Sequence, residues 1–269
     1  MPTVRLSQGV TFYEVSGVGF PVVFIHGMGG DATLWNWHAD QLQGRFRVLR
    51  YDILGHGRSA APQGPWHFSQ FARQLVELLD HLDIRKAVVC GFSLGGNIAQ
   101  SLALEHTSHT SALVIVSSSC ARTAGEQAAV DRRVEQVAAG GPPSVVEGAL
   151  ARWFSPAYSS AHPEVIGYWR RKTLANDPAC YLEAYRLYAD NDRQLLQRLP
   201  AITAPTLILT GDQDAGQTPR MAQEMAARIR NSEVVLLSGV KHMLPLEAGP
   251  ALLDAMIDFL ARRDLQGAT

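Results

Sequence analysis

The chain has 269 residues, of which 46% are apolar and 18% charged, with a formal net charge of −1. That length accommodates one large α/β domain whose core needs neither metal nor disulfide to hold it. The balanced charge excludes a polybasic nucleic-acid surface and an acidic disordered tail.

Residues 3–6 and 10–15 read as two strands joined at Gln8-Gly9. The continuous apolar run 21–25 is what a strand buried on both faces requires. It ends in His26-Gly27-Met28-Gly29-Gly30, and Asp31 is placed to cap a helix over 32–42. The next strand, 46–51, ends in Asp52-Ile53-Leu54-Gly55-His56-Gly57-Arg58-Ser59. A Pro/Gly-rich loop, 60–65, leads to a helix over 68–82, whose apolar residues recur at helical period. Strand 87–90 then runs into Gly91-Phe92-Ser93-Leu94-Gly95-Gly96 and a helix over 94–104, and 112–116 is another buried strand. This alternation predicts a mostly parallel, doubly wound sheet.

From about 120 to 199 the strand pattern stops. Helical segments at 126–139, 144–153, 163–175 and 178–198 are broken at Gly140-Gly141-Pro142-Pro143 and at Pro178. Five of the seven tyrosines fall here, with Trp153 and Trp169. An aromatic-rich helical insertion is the expected composition of a lid over a small-molecule site, although packing onto the main domain accounts for most such rings. Strand 205–210, helix 219–229, strand 233–237 and a final helix over 246–262 follow. The expected division is a core of 1–119 and 200–269 and a lid of 120–199.

Cys90, Cys120 and Cys180 are far apart and odd in number, so no disulfide framework is expected, and Cys90 reads as core. The first residues lack the apolar run of a signal peptide, and no segment reaches the ~18–20 apolar residues that span a bilayer. A soluble, cytoplasmic protein is expected.

Gly91-Phe92-Ser93-Leu94-Gly95 has the G-x-S-x-G pattern of a nucleophile elbow, a sharp strand-to-helix turn in which glycine leaves room for close backbone approach. The pentapeptide alone is a weak signal; the preceding strand and following helix strengthen it. A serine hydroxyl needs a base within hydrogen-bond reach, and the base needs an acid to hold its tautomer. Asp214 follows the strand 205–210, and His242 follows the strand 233–237. Both therefore fall where α/β sheets place their ligands, in the order Ser, Asp, His. Asp212 competes with Asp214 but also suits a turn cap. The oxyanion donors expected are the backbone N–H groups of Leu94 and Met28. His26, Gly27, Phe92, Arg152 and Trp153 are the expected pocket residues. Arg58, Arg152 and the trio Arg170-Arg171-Lys172 are candidates for a substrate carboxylate, with solvated surface charge the alternative for each and the favoured reading for the trio. His106 and His109 lack a third metal ligand, and Gly27-Met28-Gly29-Gly30 is not a dinucleotide motif, so neither metal nor cofactor is expected.

These motifs, with strand-His-Gly before them and His242-x-x-x-x-Glu247 at the end, resemble the α/β-hydrolase fold superfamily over nearly the whole chain. Phe46-Arg47-Val48-Leu49-Arg50-Tyr51-Asp52, Arg152-Trp153-Phe154 and Asp214 followed by Thr218-Pro219 are most similar to the 3-oxoadipate enol-lactonase group. The resemblance implies an eight-stranded sheet, a helical lid, and serine-dependent hydrolysis of a small ester or lactone, as in aromatic-compound catabolism. C–C bond hydrolases of meta-cleavage pathways are also similar but usually carry Trp where this chain has Met243; dehalogenases and epoxide hydrolases carry Asp where it has Ser93. C–C cleavage, cofactor-free perhydrolysis and a non-catalytic ligand sensor are the alternatives. The expected partner is a small-molecule substrate, with neither nucleic acid nor membrane; a homo-oligomer is compatible with the sequence.

Overall fold

The computed structural model describes residues 2–265; Met1 and residues 266–269, which fall in the expected core ranges, lie outside it. Eight strands form one sheet in the order β1-β2-β4-β3-β5-β6-β7-β8. They are β1 (Thr3–Leu6), β2 (Gly9–Ser16), β3 (Phe20–Ile25), β4 (Phe46–Tyr51), β5 (Ala87–Phe92), β6 (Thr110–Val116), β7 (Thr206–Gly211) and β8 (Ser232–Leu237). β2 pairs antiparallel with β1 and β4, and the remaining neighbours are parallel.

The central strands are apolar throughout because each face meets a separate apolar layer. Val23, Ile25, Val89, Leu113, Ile115 and Ile208 join one layer, and Val22, Phe24, Val88, Cys90, Val114 and Leu209 join the other. The period of two along each strand makes that division. Each fully buried aliphatic side chain contributes ~1.5–3 kcal/mol.

A 3₁₀ turn at Ala32–Trp35, capped by Asp31, precedes α1 (Asn36–Leu42), so the first expected helix begins more tightly wound. α2 (Phe68–His81) buries Phe68, Phe71, Leu75, Leu78 and Leu79, the stripe its sequence spacing predicts. α3 (Leu94–Glu105) is buried along nearly its whole length.

Between the two core portions lie α4 (Ala124–Gly140), α5 (Val146–Trp153), α6 (Pro156–Ala161), α7 (Pro163–Leu174), α8 (Pro178–Ala189) and α9 (Asn191–Leu195), then a 3₁₀ turn to Ala201. The single helix expected over 178–198 is thus three pieces. The bend at Asp190 lets the Asp192 carboxylate accept from the N–H groups of Ala121 (2.9 Å) and Arg122 (2.7 Å), tying the end of the insertion to its start. α6 was not expected, although Ser155 before Pro156 is a helix-start signal, and Ser155 Oγ indeed accepts from Tyr158 N–H.

α10 (Pro219–Ala226) lies between β7 and β8. The final helix is also divided, into α11 (Leu244–Glu247) and α12 (Gly249–Ala261). Pro250 cannot sit inside a helix without losing a hydrogen bond, and it starts a new one instead. Among the described residues no helix is long and apolar enough to cross a membrane.

Candidate active site

β3 pairs with β4 on one side and β5 on the other, so the connections leaving β3 and β5 diverge to opposite sides. A crevice opens at the carboxyl end of the sheet at such a switch point. The loop after β3 and Ser93 after β5 flank it, and the loops after β7 and β8 complete its rim.

Ser93 hangs directly on the sheet. Its N–H donates to Val116 O (2.8 Å), and Ser118 Oγ donates to its carbonyl (2.9 Å). The residue sits at φ 54°, in the left-handed region, at a cost of order 1–3 kcal/mol. The glycines around it are sterically required. A Cβ on Gly91 would collide with the Gly95 carbonyl, and one on Gly95 would lie 2.5 Å from the carbonyl oxygens of Ile25 and His26. The strand runs two residues further than its apolar pattern suggests, to Phe92, so the sheet itself aims the serine.

His242 and Asp214 arrive from β8 and β7. His242 Nε2 lies 3.2 Å from Ser93 Oγ, and His242 Nδ1 lies 2.8 Å from Asp214 Oδ2. The Nδ1–H donating to the carboxylate leaves Nε2 as the acceptor for the serine proton. The other Asp214 oxygen accepts from the N–H groups of Gly216 and Gln217, both at 2.9 Å. Asp212 turns the other way and receives Ser238 Oγ (3.0 Å) and Gly239 N–H (2.8 Å), the turn-capping alternative foreseen for it. The His242 loop is braced by α5 and its flank: Met243 N–H donates to Trp153 O (2.9 Å), and Ser155 N–H donates to Glu247 Oε1 (2.9 Å).

The pocket holds about 710 Å³, mouth included. Gly27, Met28, Phe92, Ser93, Arg152, Trp153, Asp214 and His242 line it, joined by Leu34, Arg133, Trp169, Tyr185, Tyr188 and Gln217 among others. Gly27 passes so close that a Cβ there would lie 3.1 Å from Ser93 Cβ, which brings the following Met28 peptide beside the serine. Leu94 opens α3, so its N–H has no carbonyl one turn back to bond.

His26 does not line the pocket, contrary to expectation. It is fully buried beneath it, with Nδ1–H donating to Gly27 O (2.8 Å) and Nε2 accepting from Ile53 N–H (3.0 Å). Burial lowers its pKa, and the neutral ring cross-links the loops after β3 and β4. Arg58 is likewise outside the pocket: its Nε donates to the buried Asp52 (3.0 Å), and its guanidinium lies over the Phe12 ring. Arg170 pairs with Glu147 (2.6 Å) and Lys172 with Asp31. Cys90 is buried, as expected.

Arg133 was missed. Its signal was present in the sequence, since it lies three residues after buried Val130 and four before buried Val137, a charge inside the apolar stripe of α4. Among the described residues no group of acids, histidines and cysteines is arranged to hold a metal.

A family profile described as alpha/beta hydrolase fold matches residues 21–249. The chain is 30% identical over 217 residues to 3-oxoadipate enol-lactonase 2 of Acinetobacter baylyi, covering 80% of this chain and 79% of that one. It is 26% identical to (E)-2-((N-methylformamido)methylene)succinate hydrolase of the same organism, over 94% of this chain and 95% of that one. The crystal structure of the enol-lactonase from Burkholderia xenovorans superposes with a TM-score of 0.88 at 27% identity, covering 97% of this chain and all of that one.

Proposed function

The chain belongs to the alpha/beta hydrolase fold family, a hydrolytic enzyme by that kinship, and from this premise we propose that it is a serine hydrolase of a small carboxylic ester or lactone. The observation that carries the reading is the relay from Ser93 Oγ through His242 to Asp214, at 3.2 and 2.8 Å. A lactonase of 30% identity supports a lactone or ester substrate.

His242 Nε2 takes the proton of Ser93 as the oxygen attacks the carbonyl carbon. The carbonyl electrons move onto oxygen, where the N–H groups of Leu94 and Met28 receive them. As the tetrahedral intermediate collapses, His242 gives the proton to the departing alkoxide. In a lactone the alkoxide stays tethered to the acyl group. Water then attacks the acyl-enzyme, with His242 as base again, and releases the acid and free Ser93. Asp214 holds the ring orientation and the positive charge His242 carries in between. Burial of the pair strengthens that interaction, because water screens it little.

A fluorophosphonate should label the protein one to one, with the label mapped to Ser93. The same sample should turn over members of a lactone and short-ester panel. An unlabelled Ser93 in folded protein would refute the proposal.

A further inference from the structure

The helical insertion contributes two guanidinium groups to the lining of the Ser93 pocket and, among the described residues, no acid to meet them. Arg133 comes from α4 and Arg152 from α5, and both line the same space with Tyr185 and Tyr188. Among the described residues neither arginine has an ion pair or hydrogen-bond partner, whereas ten other Arg and Lys side chains, from Arg50 to Arg262, are ion-paired. The one carboxylate lining the pocket, Asp214, is taken up by His242 and two backbone N–H groups. Both arginines are half-buried. Burial depresses the Arg133 pKa, and the neighbouring Arg152 charge depresses it further. Two like charges brought together in a partly desolvated space, without a counterion, raise the free energy of the empty pocket. An anionic ligand would reverse that.

We propose that Arg133 and Arg152 form a subsite for a carboxylate carried by the substrate at the end remote from its scissile bond. The preferred substrates are then half-esters of dicarboxylic acids, or lactones bearing a free carboxylate. Guanidinium forks match a carboxylate bidentately, and two of them on separate helices enclose it from two sides. Phosphate shares this affinity, but its sites characteristically add backbone N–H groups of a helix start. Here Arg133 lies mid-helix and Arg152 is the penultimate residue of α5. Leu34, Trp153 and Trp169 line the same pocket, apolar surface that suits a short hydrocarbon spacer. The inference about turnover rests on Ser93 being the nucleophile; the inference about binding does not.

Two measurements separate those dependences. In the first, monoethyl and diethyl succinate are compared as substrates. Wild-type protein should favour the half-ester in kcat/KM by roughly 10- to 100-fold, the range of a charge-assisted contact. That ratio should collapse toward one in Arg133→Gln and Arg152→Gln, and recover partly in Arg133→Lys, which keeps the charge without the fork. In the second, succinate, dimethyl succinate and inorganic phosphate are titrated calorimetrically into wild type and into the Arg133→Gln/Arg152→Gln double variant, with circular dichroism reporting the fold. Succinate should bind the wild type and bind the folded double variant at least tenfold more weakly, and dimethyl succinate should bind the wild type at least tenfold more weakly than succinate does.

Equal turnover of diester and half-ester by the wild type would overturn the subsite and leave the hydrolase intact. Absence of turnover and labelling, together with arginine-dependent succinate binding, would sink the hydrolase and keep the subsite. Phosphate binding tighter than succinate would overturn the carboxylate assignment.

Discussion

Among the described residues, the polar groups on the sheet side of the pocket are satisfied within the protein, whereas on the helical side two guanidinium groups are not. Asp214 uses both oxygens, His242 both ring nitrogens, and the Ser93 backbone is pinned to β6 and Ser118. Among the described residues Arg133 and Arg152 line the same space without an ion-pair or hydrogen-bond partner. Groups that do chemistry gain from being held before the substrate arrives, because no reorganisation is then needed at the transition state. Groups that recognise a ligand must keep a bonding site vacant, and the surrounding fold must carry the cost of that vacancy. The relay is also built on strand ends, whereas the arginines sit on an insertion held to the core by side-chain and loop hydrogen bonds rather than by sheet pairing. These include Trp153 O to Met243, Lys172 with Asp31, and Asn176 Nδ2 to Gly29 O (3.3 Å).

The largest effect should therefore fall on the sheet side. Ser93→Ala should lower kcat/KM by roughly 10⁴- to 10⁶-fold with unchanged circular dichroism. If more than one part in a hundred of the activity survived, the chemistry would have to lie elsewhere. Next, Asp214→Asn should lower kcat by about 10³- to 10⁴-fold, since the amide favours the wrong tautomer of His242. Asp212→Asn, two residues away, should change kcat less than threefold and stability by about 1 kcal/mol or less, because Asp212 only caps the turn after β8. Similar losses in the two variants would dissolve the distinction between them.

Glycine packing supports the same side. Gly95→Ala places a methyl group 2.5 Å from two backbone carbonyls of β3 and its loop, atoms that cannot rotate away. Destabilisation of roughly 3 kcal/mol or more is expected, read as a fall in the thermal midpoint. A midpoint within 2 °C of wild type would mean that α3 is free to slide along β5.

The contrast between the two sides also explains what could be read in advance. The sheet announced itself through apolar runs bounded by glycine, and the relay through one serine, one acid and one histidine placed after successive strands. Those signals are local, so residues such as Ser93 and Asp214 needed no knowledge of packing. His26 misled because a histidine at a strand end looks the same whether it faces a ligand or staples two loops; only the bonds to Gly27 and Ile53 decide. Arg133 was missed for a related reason, although its spacing from Val130 and Val137 already set it on the apolar stripe of α4. Its face of α4 is defined by packing against α8, two elements far apart in sequence. The break of α8 at Asp190 likewise serves a distant requirement, the N–H groups of Ala121 and Arg122 that Asp192 accepts from.

The smallest effect expected at neutral pH concerns a buried histidine away from both sides. His38 packs beside Phe24, Trp35 and Trp37, and among the described residues neither ring nitrogen has a hydrogen-bond partner. Burial pushes its pKa down from 6.5 to about 3. The folded protein therefore refuses a proton that the unfolded chain accepts, so this residue's contribution is complete above pH ~6.5 and is lost as the pH falls from there toward 3. The slope from one such group is about 1.4 kcal/mol per pH unit. His38→Leu removes the group and two unsatisfied nitrogens without touching the pocket. Its stability should thus fall less steeply than wild type between pH 6 and 4, in urea titrations at each pH, with activity at pH 7 unchanged. A residual acid slope should remain, because His56, also buried, has its pKa lowered to about 4. If wild type and variant lost stability in parallel across that interval, His38 would have to take up its proton inside the fold, and the apolar surroundings of the ring would not be what keeps it neutral.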